Sequence, residues 1–538
     1  MFLQTILEWL PKPIVFEITS ILTYFSMKKN ITYLLAFLMV IGISDAVMAQ
    51  AHKNCGMKVE DLAEVKRQML ENRREMANFT STRNDVVTYV PIRWHLVANA
   101  AGEGRAGERQ ALDALCNLNT NYEEQEVQFY IEEFNYINSN TIYSNPDGFS
   151  GAINLSANMT YDAVNIFVVG PEVGVDPSNP GSVVQAYYQP PAGASGGRDW
   201  IVCNKLYLTD EYVLTHEMGH FLSLPHPFSG WDFTPWDSDV HGNPVMLNNA
   251  PDGGQVERVN GSNCSTAGDA ICDTPADYNF GLTFNSNCNY TGNCRDANDE
   301  LLTPLEENVM NYFGCNTQSF TAGQEVEVQN SLNSNNRNYC TPDYTPEIGE
   351  ITGNLDLIYP NNLQTTNNYN YVNLQWEAKD NATSYVVEIA GAQVFTMVTN
   401  SNNLELTNLE AGSTYLWKVT PFNESGGCAN TSSQQIFKTG DNATATTDVK
   451  EISDWTIAPN PVSNQENIRV SINASANFTA DLFLVDLTGK IVQMINNQVF
   501  TAGNAVVEMR VADLPTGIYT LAVQSANGVS NQRIVVTK

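Results

Sequence analysis

The run His216-Glu-Met-Gly-His-Phe-Leu-Ser-Leu-Pro-His226 constrains the fold more than any other stretch. It holds three of the six histidines in 538 residues. On a helix, His216 and His220 lie one turn apart on one face, where both imidazoles reach one metal ion. Glu217 lies beside them, turned away from direct ligation but close enough to hold a water. A continuous helix would carry His226 roughly 240° around from His220 and about 9 Å further along the axis. The helix must therefore stop before His226 can supply a third nitrogen. Pro225 stops it, because its ring clashes with the carbonyl of Phe221 and pushes Leu224 out of the helical region. The helix is expected over Thr209 to Leu222, with Thr209-Asp210-Glu211 as its capped, acidic start. Three protein ligands leave a tetrahedral zinc ion one open position, the mark of a catalytic site rather than a structural one. The bland alternative, a surface helix that merely carries histidines, has no need of this spacing.

The chain is too long for one domain, and about three units are expected. A net charge of −32 excludes nucleic acid and anionic membrane surfaces as partners, because both repel it. Met27-Lys28-Lys29 begins a signal-peptide pattern: a charged start, an apolar run from Ile31 to Ile43, and small residues at Val47-Met48-Ala49 before Gln50. That apolar run is too short for a comfortable membrane span, and there is no other candidate for a stable one. Residues 1–26 read either as an upstream extension before a true start at Met27, or as a genuine cytosolic or membrane extension. Export places ten cysteines in an oxidising compartment. Cys116, Cys203, Cys264, Cys272, Cys288, Cys294, Cys315 and Cys340 form a block with up to four disulfides, whose pairing the spacing leaves open. Cys55 and Cys428 stand outside it, and Cys428, after two glycines, reads as an exposed thiol.

Residues 58–76 show a charged helical pattern with Leu62, Val65, Met69 and Met76 as its stripe. Val86–Val97, Val127–Phe134, Asp162–Val169 and Trp200–Cys203 read as strands, and 107–120 as a helix. His95 falls in an edge-like strand and, with His241, reads as structural. Residues 230–300 are rich in Gly, Asn, Asp and Cys, and so long a loop region is either functional or pinned by disulfides and ions. The order is mixed α/β: a twisted sheet, a backing helix, then the active-site helix. Two all-β sandwich domains are expected to follow. Leu409-Glu-Ala-Gly-Ser-Thr-Tyr415-Leu-Trp417 resembles the corner of a fibronectin type III module, where the Tyr hydroxyl ties back to backbone.

The zinc run, extended to Met310, resembles the metzincin metallopeptidases and within them the pappalysin family. Pro227-Phe-Ser-Gly230 follows the third histidine. Gly268-Asp-Ala-Ile-Cys272-Asp273-Thr274-Pro275 looks like the family's Asp-Thr-Pro segment. Asn308-Val-Met310-Asn-Tyr312 looks like its Met-turn, followed by Phe320-Thr-Ala-Gly-Gln324. The likeness covers roughly residues 85–340. It departs at Ser223, where the family has glycine at a sharp turn. The resemblance implies zinc held by His216, His220 and His226, with Glu217 as general base and Tyr312 as oxyanion partner or flexible ligand. Met310 would be an apolar floor beneath the histidines. It also implies a Cys272–Cys315 disulfide. Asp269, Asp273 and Thr274 offer hard oxygen ligands for calcium, for which a solvated acidic loop is the alternative. Asn54-Cys55-Gly56 resembles the Cys-Gly latency motif of some metzincin pro-segments, in which a thiolate takes zinc's open position. A disulfide to Cys428, or no role, is the alternative for Cys55. Arg73-Arg74 would serve as an activation cleavage site.

The end of the chain resembles the C-terminal sorting domain of Bacteroidetes type IX (Por) secretion, through Ile457-Ala-Pro-Asn460-Pro461, Leu484-Val-Asp-Leu-Thr-Gly-Lys490, Leu514-Pro-Thr-Gly517-Ile-Tyr519 and Arg533-Ile-Val-Val-Thr-Lys538. The alternative there is a generic adhesion sandwich. The expected organisation is an upstream extension and signal peptide (1–49), a pro-segment (50–84), a metzincin catalytic domain (85–342), a linker (343–355), a fibronectin type III-like domain (356–440), a second linker (441–453) and a sorting domain (454–538). The function expected is that of a secreted zinc metalloendopeptidase cutting internal bonds of extracellular proteins or peptides, with the type IX machinery as its export partner. The rival is a catalytically inactive adhesin or glycan-binding surface protein that keeps a zinc site.

Overall fold

The structure, a computed structural model, describes residues 55–77, 87–171, 184–191, 199–283, 288–341, 344–345, 349, 351–407, 409–428, 432–441, 449–463, 467–486, 490–525 and 528–537. The expected upstream extension and signal peptide lie outside these residues, as does much of the second linker.

Five strands form the first sheet: β1 (Thr88–Ala98), β2 (Val127–Asn138), β3 (Val164–Val169), β4 (Ala186–Gln189) and β5 (Trp200–Asn204). Their order is β2-β1-β3-β5-β4. Neighbours run parallel except β4, which is antiparallel to β5. β3 and β5 are buried along their whole length, which is why their sequences run apolar instead of alternating. Four of the five strands are anticipated by pattern. β4, Ala186-Tyr-Tyr-Gln189, is too short to show a period.

Four helices matter to the site: α1 (Val59–Met76), α2 (Glu108–Asn121), α3 (Val213–Phe221) and α4 (Ala322–Asn333). α2 backs the sheet, its Leu112, Leu115 and Leu118 sharing one core with Ile92, Trp94 and Val168. α3 is buried on every side and touches α2, β4 and β5. α1 packs on α4, and its buried face is Val65, Gln68, Met69 and Asn72, so the apolar stripe read from sequence is interrupted by two amides.

His95 is not on an edge. β1 lies between β2 and β3, and the ring is buried, stacked on Phe167 at 4.0 Å between centroids. Its Nε2 meets the amide oxygen of Asn165 at 3.0 Å and its Nδ1 the amide nitrogen of Asn135 at 2.9 Å. One ring nitrogen donates and the other accepts, a pattern that only the neutral imidazole satisfies. Burial pushes its pKa down to about 4.

Eight strands between Leu357 and Lys438 form a five-stranded and a three-stranded sheet around Trp376, Trp417, Tyr415 and Phe437. The Tyr415 hydroxyl accepts the Glu410 amide at 2.9 Å, the corner bond expected from sequence. Eight more strands between Ile452 and Thr537 form a second such pair with a separate core. There Asn460 explains its place in the Ala-Pro-Asn-Pro motif. Its side chain accepts from the Val535 amide and donates to the Arg533 carbonyl, pairing with the final strand as a backbone would.

The first sandwich is stapled to the α/β unit. Cys428 is not a free thiol, because it is bonded to Cys116 on α2, and this also removes it as a partner for Cys55. The Glu424 carbonyl accepts the Ile131 amide of edge strand β2 at 2.6 Å. Val386 and Phe422 belong to the same core as the sheet. The sandwich thus covers part of an edge that would otherwise present unpaired amides. Cys428→Ser is expected to lower the apparent Tm, since a disulfide joining residues 312 apart in sequence is worth about 2–4 kcal/mol. Thermal unfolding with and without reductant checks this: wild type should approach the variant only when reduced.

Candidate metal centre

α3 starts later than its sequence suggests. The Asp210 carboxylate takes the amides of Tyr212 and Val213, so the chain turns there before the first helical residue. Within α3 the histidines fall one turn apart, as expected. The helix ends at Phe221 in a Schellman motif: Leu224 N donates to Gly219 O at 2.8 Å and Ser223 N to His220 O at 2.9 Å. Ser223 takes the left-handed position with φ 70°, a placement that costs a residue with a Cβ on the order of 1 kcal/mol. The turn reverses the chain so that Pro225 and His226 come back toward the helix.

The result is convergence. The three Nε2 atoms of His216, His220 and His226 lie 3.0, 3.1 and 3.2 Å from one another. Each Nδ1 faces outward to an oxygen: His216 to Val309 O at 2.9 Å, His220 to Leu224 O at 2.8 Å, His226 to Asp232 Oδ1 at 2.6 Å. With Nδ1 donating outward, each Nε2 is left as a bare lone pair aimed at the other two. Burial, and then His226 beside it, push the pKa of His220 far down, which keeps that ring neutral. Three lone pairs at this spacing suit a divalent ion such as zinc, whose bonds to imidazole are about 2.0–2.1 Å. The cluster, with Cys55, is the one group of its kind among the described residues.

The other expected site residues gather around it. Glu217 is buried beside the histidines, and Cys55 Sγ lies 3.7 Å from its Oε2. The Cys55 sulfur falls within 4.8 Å of the ligand nitrogens. Gly56 N donates to Ala186 O at 2.9 Å, laying the segment along edge strand β4. A Cβ on Gly56 would come 2.4 Å from Val184, so only glycine allows this approach. The Tyr312 ring stands 4.9 Å from that of His226, and its hydroxyl pairs with the Cys55 thiol. Met310 lies under the helix, and its sulfur would meet a Cβ on Gly219 at 2.4 Å, which is the reason for a glycine in the middle of α3.

Three expectations need correction. Cys272 pairs with Cys264, and Cys315 with Cys288. Each thus finds a partner in a loop lying against it, and no Cys272–Cys315 bond forms. Cys203, Cys294 and Cys340 are buried thiols. The trio Asp269, Asp273 and Thr274 does not form one cage. Asp269 is buried and taken by the Thr274 hydroxyl and the Ile271 amide, while exposed Asp273 caps α4 through Thr321 and the Gly323 amide. Burial raises Asp269 to about 7. Arg73 and Arg74 lie in the last turn of α1, and Arg73 is tied to Glu327 at 2.7 Å and to Ala270 O at 3.0 Å, so cleavage there requires that turn to unwind first.

The α/β unit thus gathers three histidines into a cluster fit to hold a metal ion, with a thiol over its open side, and two β-sandwiches follow it. Residues 456–537 match the family model of the secretion system C-terminal sorting domain. The last sandwich is therefore a type IX sorting domain, which directs export to the cell surface or the extracellular space. A solved structure of a Tannerella forsythia promirolysin mutant is similar at 15% identity, covering 54% of this chain and 97% of that one, with a TM-score of 0.34. Fibronectin(III)-like modules of Clostridium thermocellum CbhA are similar at 11% identity, covering 34% of this chain and 92% of theirs, with a TM-score of 0.14. No curated protein matches the chain. At these scores the structural likenesses decide nothing about the site, and its chemistry rests on its own geometry. No helix among the described residues is long and apolar enough to cross a membrane.

Two functional residues carry no sequence signal. Arg337, fully buried, donates to Phe221 O at 2.8 Å, Asp199 at 2.7 Å and the Tyr188 hydroxyl at 2.6 Å, fixing the end of α3 against β4. Asp232 orients the third imidazole and also accepts the Gly230 amide at 2.9 Å. Asp232→Asn, which keeps the shape and removes the charge, is expected to weaken zinc binding by about 10–100-fold. Competition against a chromophoric chelator measures it. Unchanged affinity would mean that Asp232 does not tune the ligand.

Proposed function

We propose that the protein is a secreted zinc metalloendopeptidase of the metzincin type, close to the pappalysins, and made as a latent precursor. One observation carries this reading: three proton-free imidazole nitrogens converge, with the Glu217 carboxylate and the Cys55 thiol on their remaining side. A structural site would close that side with a permanent fourth ligand from the same unit. Here it is closed by a residue from a separate N-terminal segment.

In this reading residues 85–342 are catalytic, 50–84 are the pro-segment, and 356–440 are a fibronectin type III-like module that braces the catalytic unit. When bound, zinc supplies Lewis acidity for the water and the scissile carbonyl. Glu217 takes the proton of the attacking water and hands it to the leaving amine. The Tyr312 hydroxyl donates to the oxygen where negative charge develops. In the precursor the Cys55 sulfur holds the place that the water needs, and Gly56 occupies the backbone groups of β4 that an extended peptide would pair with.

Digestion of a proteome-derived peptide library, read by mass spectrometry with and without chelator, tests the activity. Cleavage should vanish with chelator and return with zinc. Glu217→Ala should lose cleavage by roughly 10²–10⁴-fold while still binding zinc. Equal cleavage by that variant would exclude the base. Cys55→Ala should make the uncut precursor active, and a variant as silent as wild type would end the latency reading. A metal-loaded, processed protein that cuts nothing would instead favour the adhesin.

A further inference from the structure

The turn from His220 to His226 carries a cost that the rest of the chain must meet. Its left-handed residue is Ser223, at φ 70°, where a Schellman motif favours glycine. The Ser223 side chain is fully buried and meets two polar groups, Asn72 Nδ2 at 3.3 Å and Ser331 Oγ at 3.3 Å. Ser331 belongs to α4, but Asn72 belongs to α1, in the same N-terminal segment as Cys55. Asn72 is itself buried, and its amide oxygen accepts Asn336 Nδ2 at 2.6 Å. A buried amide is tolerated only when both of its ends are satisfied, and here both are. On a helix otherwise rich in charge, the side chain that meets the strained turn is an amide.

We propose that Asn72 is a positioning residue for the metal centre: its amide holds the Ser223 hydroxyl and so fixes the left-handed turn that delivers His226. The segment acts on the site from two ends. Cys55 closes the open side of the imidazoles, and Asn72 props the bend behind them. Glycine at the turn would need no prop, since it adopts this conformation without strain. Serine needs its hydroxyl held, and α1 supplies the hand while the site assembles. After the imidazoles have closed on an ion, Ser331 and the ion keep the turn in place. The proposal rests on the reading of a metal centre and not on hydrolysis.

A double-mutant cycle on the full precursor tests it: wild type, Asn72→Ala, Ser223→Gly and the double variant, each stripped of metal. Zinc affinity is read by competition with a chromophoric chelator, and site geometry by the visible spectrum of the cobalt(II) form. Asn72→Ala is expected to weaken zinc binding about five- to tenfold when serine is present. In the Ser223→Gly background the same change should cost less than about twofold. The cobalt spectrum should change with Asn72→Ala only where Ser223 remains. Equal losses in both backgrounds, or none in either, overturn the proposal, because a merely structural asparagine would not notice which residue sits at the turn. Should Asn72→Ala fail to fold, Asn336→Ala replaces it in the cycle, since it unties the Asn72 amide without emptying its place. A protein that binds zinc but cuts no peptide would sink the peptidase reading and leave this one standing.

Discussion

Three imidazole lone pairs facing one another within hydrogen-bonding distance would repel without a cation between them. Much of the α/β unit is arranged to hold them there. Each ring is fixed by what its outward nitrogen meets, and the three acceptors come from separate places: the carbonyl before Met310, the carbonyl of the reversing turn, and the Asp232 carboxylate. Rotating any one ring would break a buried hydrogen bond as well as misdirect a ligand. Convergence is therefore a property of the tertiary structure, and the helix alone supplies only the spacing.

That demand explains the loop-rich stretch after the third histidine. The described residues between 228 and 315 must deliver Asp232 and Tyr312 to fixed points with little regular structure. They do it with a satellite core, in which Trp231 stacks on Tyr278 at 4.7 Å, and with the Cys264–Cys272 and Cys288–Cys315 disulfides. Asp277 adds a tie, accepting the Asn311 amide at 2.7 Å beside Tyr312. Short cross-links suit such a region, because each restricts a loop whose backbone has few ladders to order it.

What could be read from the sequence follows from range. The spacing of His216, His220 and His226, the break in the helix between His220 and His226 and four strands of the first sheet are local patterns, and all are recovered, although the break is made by the turn at Ser223 ahead of Pro225. α3 starts later than the expected Thr209 because an aspartate that usually caps a helix here turns the chain ahead of it. Arg337 and Asn72 were invisible, since each acts on a segment more than a hundred residues away and neither stands in a recognisable pattern. Cys428 reads as a loop thiol for the same reason, because its partner lies on α2, 312 residues away. Cys272 and Cys315, by contrast, bond to cysteines 8 and 27 residues away, so their expected mutual pairing fails on which neighbour lies nearest and not on range. His95 looked peripheral because strand order, which places β1 inside the sheet, is set by crossovers and not by residues nearby.

Range also bears on why one segment both closes and props the site. Ser223 stands where glycine would make the turn independent, so the chain has exchanged local freedom for a tertiary contact. The contact comes from α1, which is held by Lys66 to Gly268 O at 2.5 Å, by Arg73 to Glu327 and by Glu75 to Asn335. Cys55 alone could be displaced by any ligand reaching the open side. Joined to α1 through Gly56, Met57 and Lys58, it stays near that side at high local concentration while the helix is docked. Undocking the helix also withdraws Asn72 from the turn. An ion bound before that moment locks the imidazoles in place, while an ion arriving later meets a turn that has lost one of its two supports.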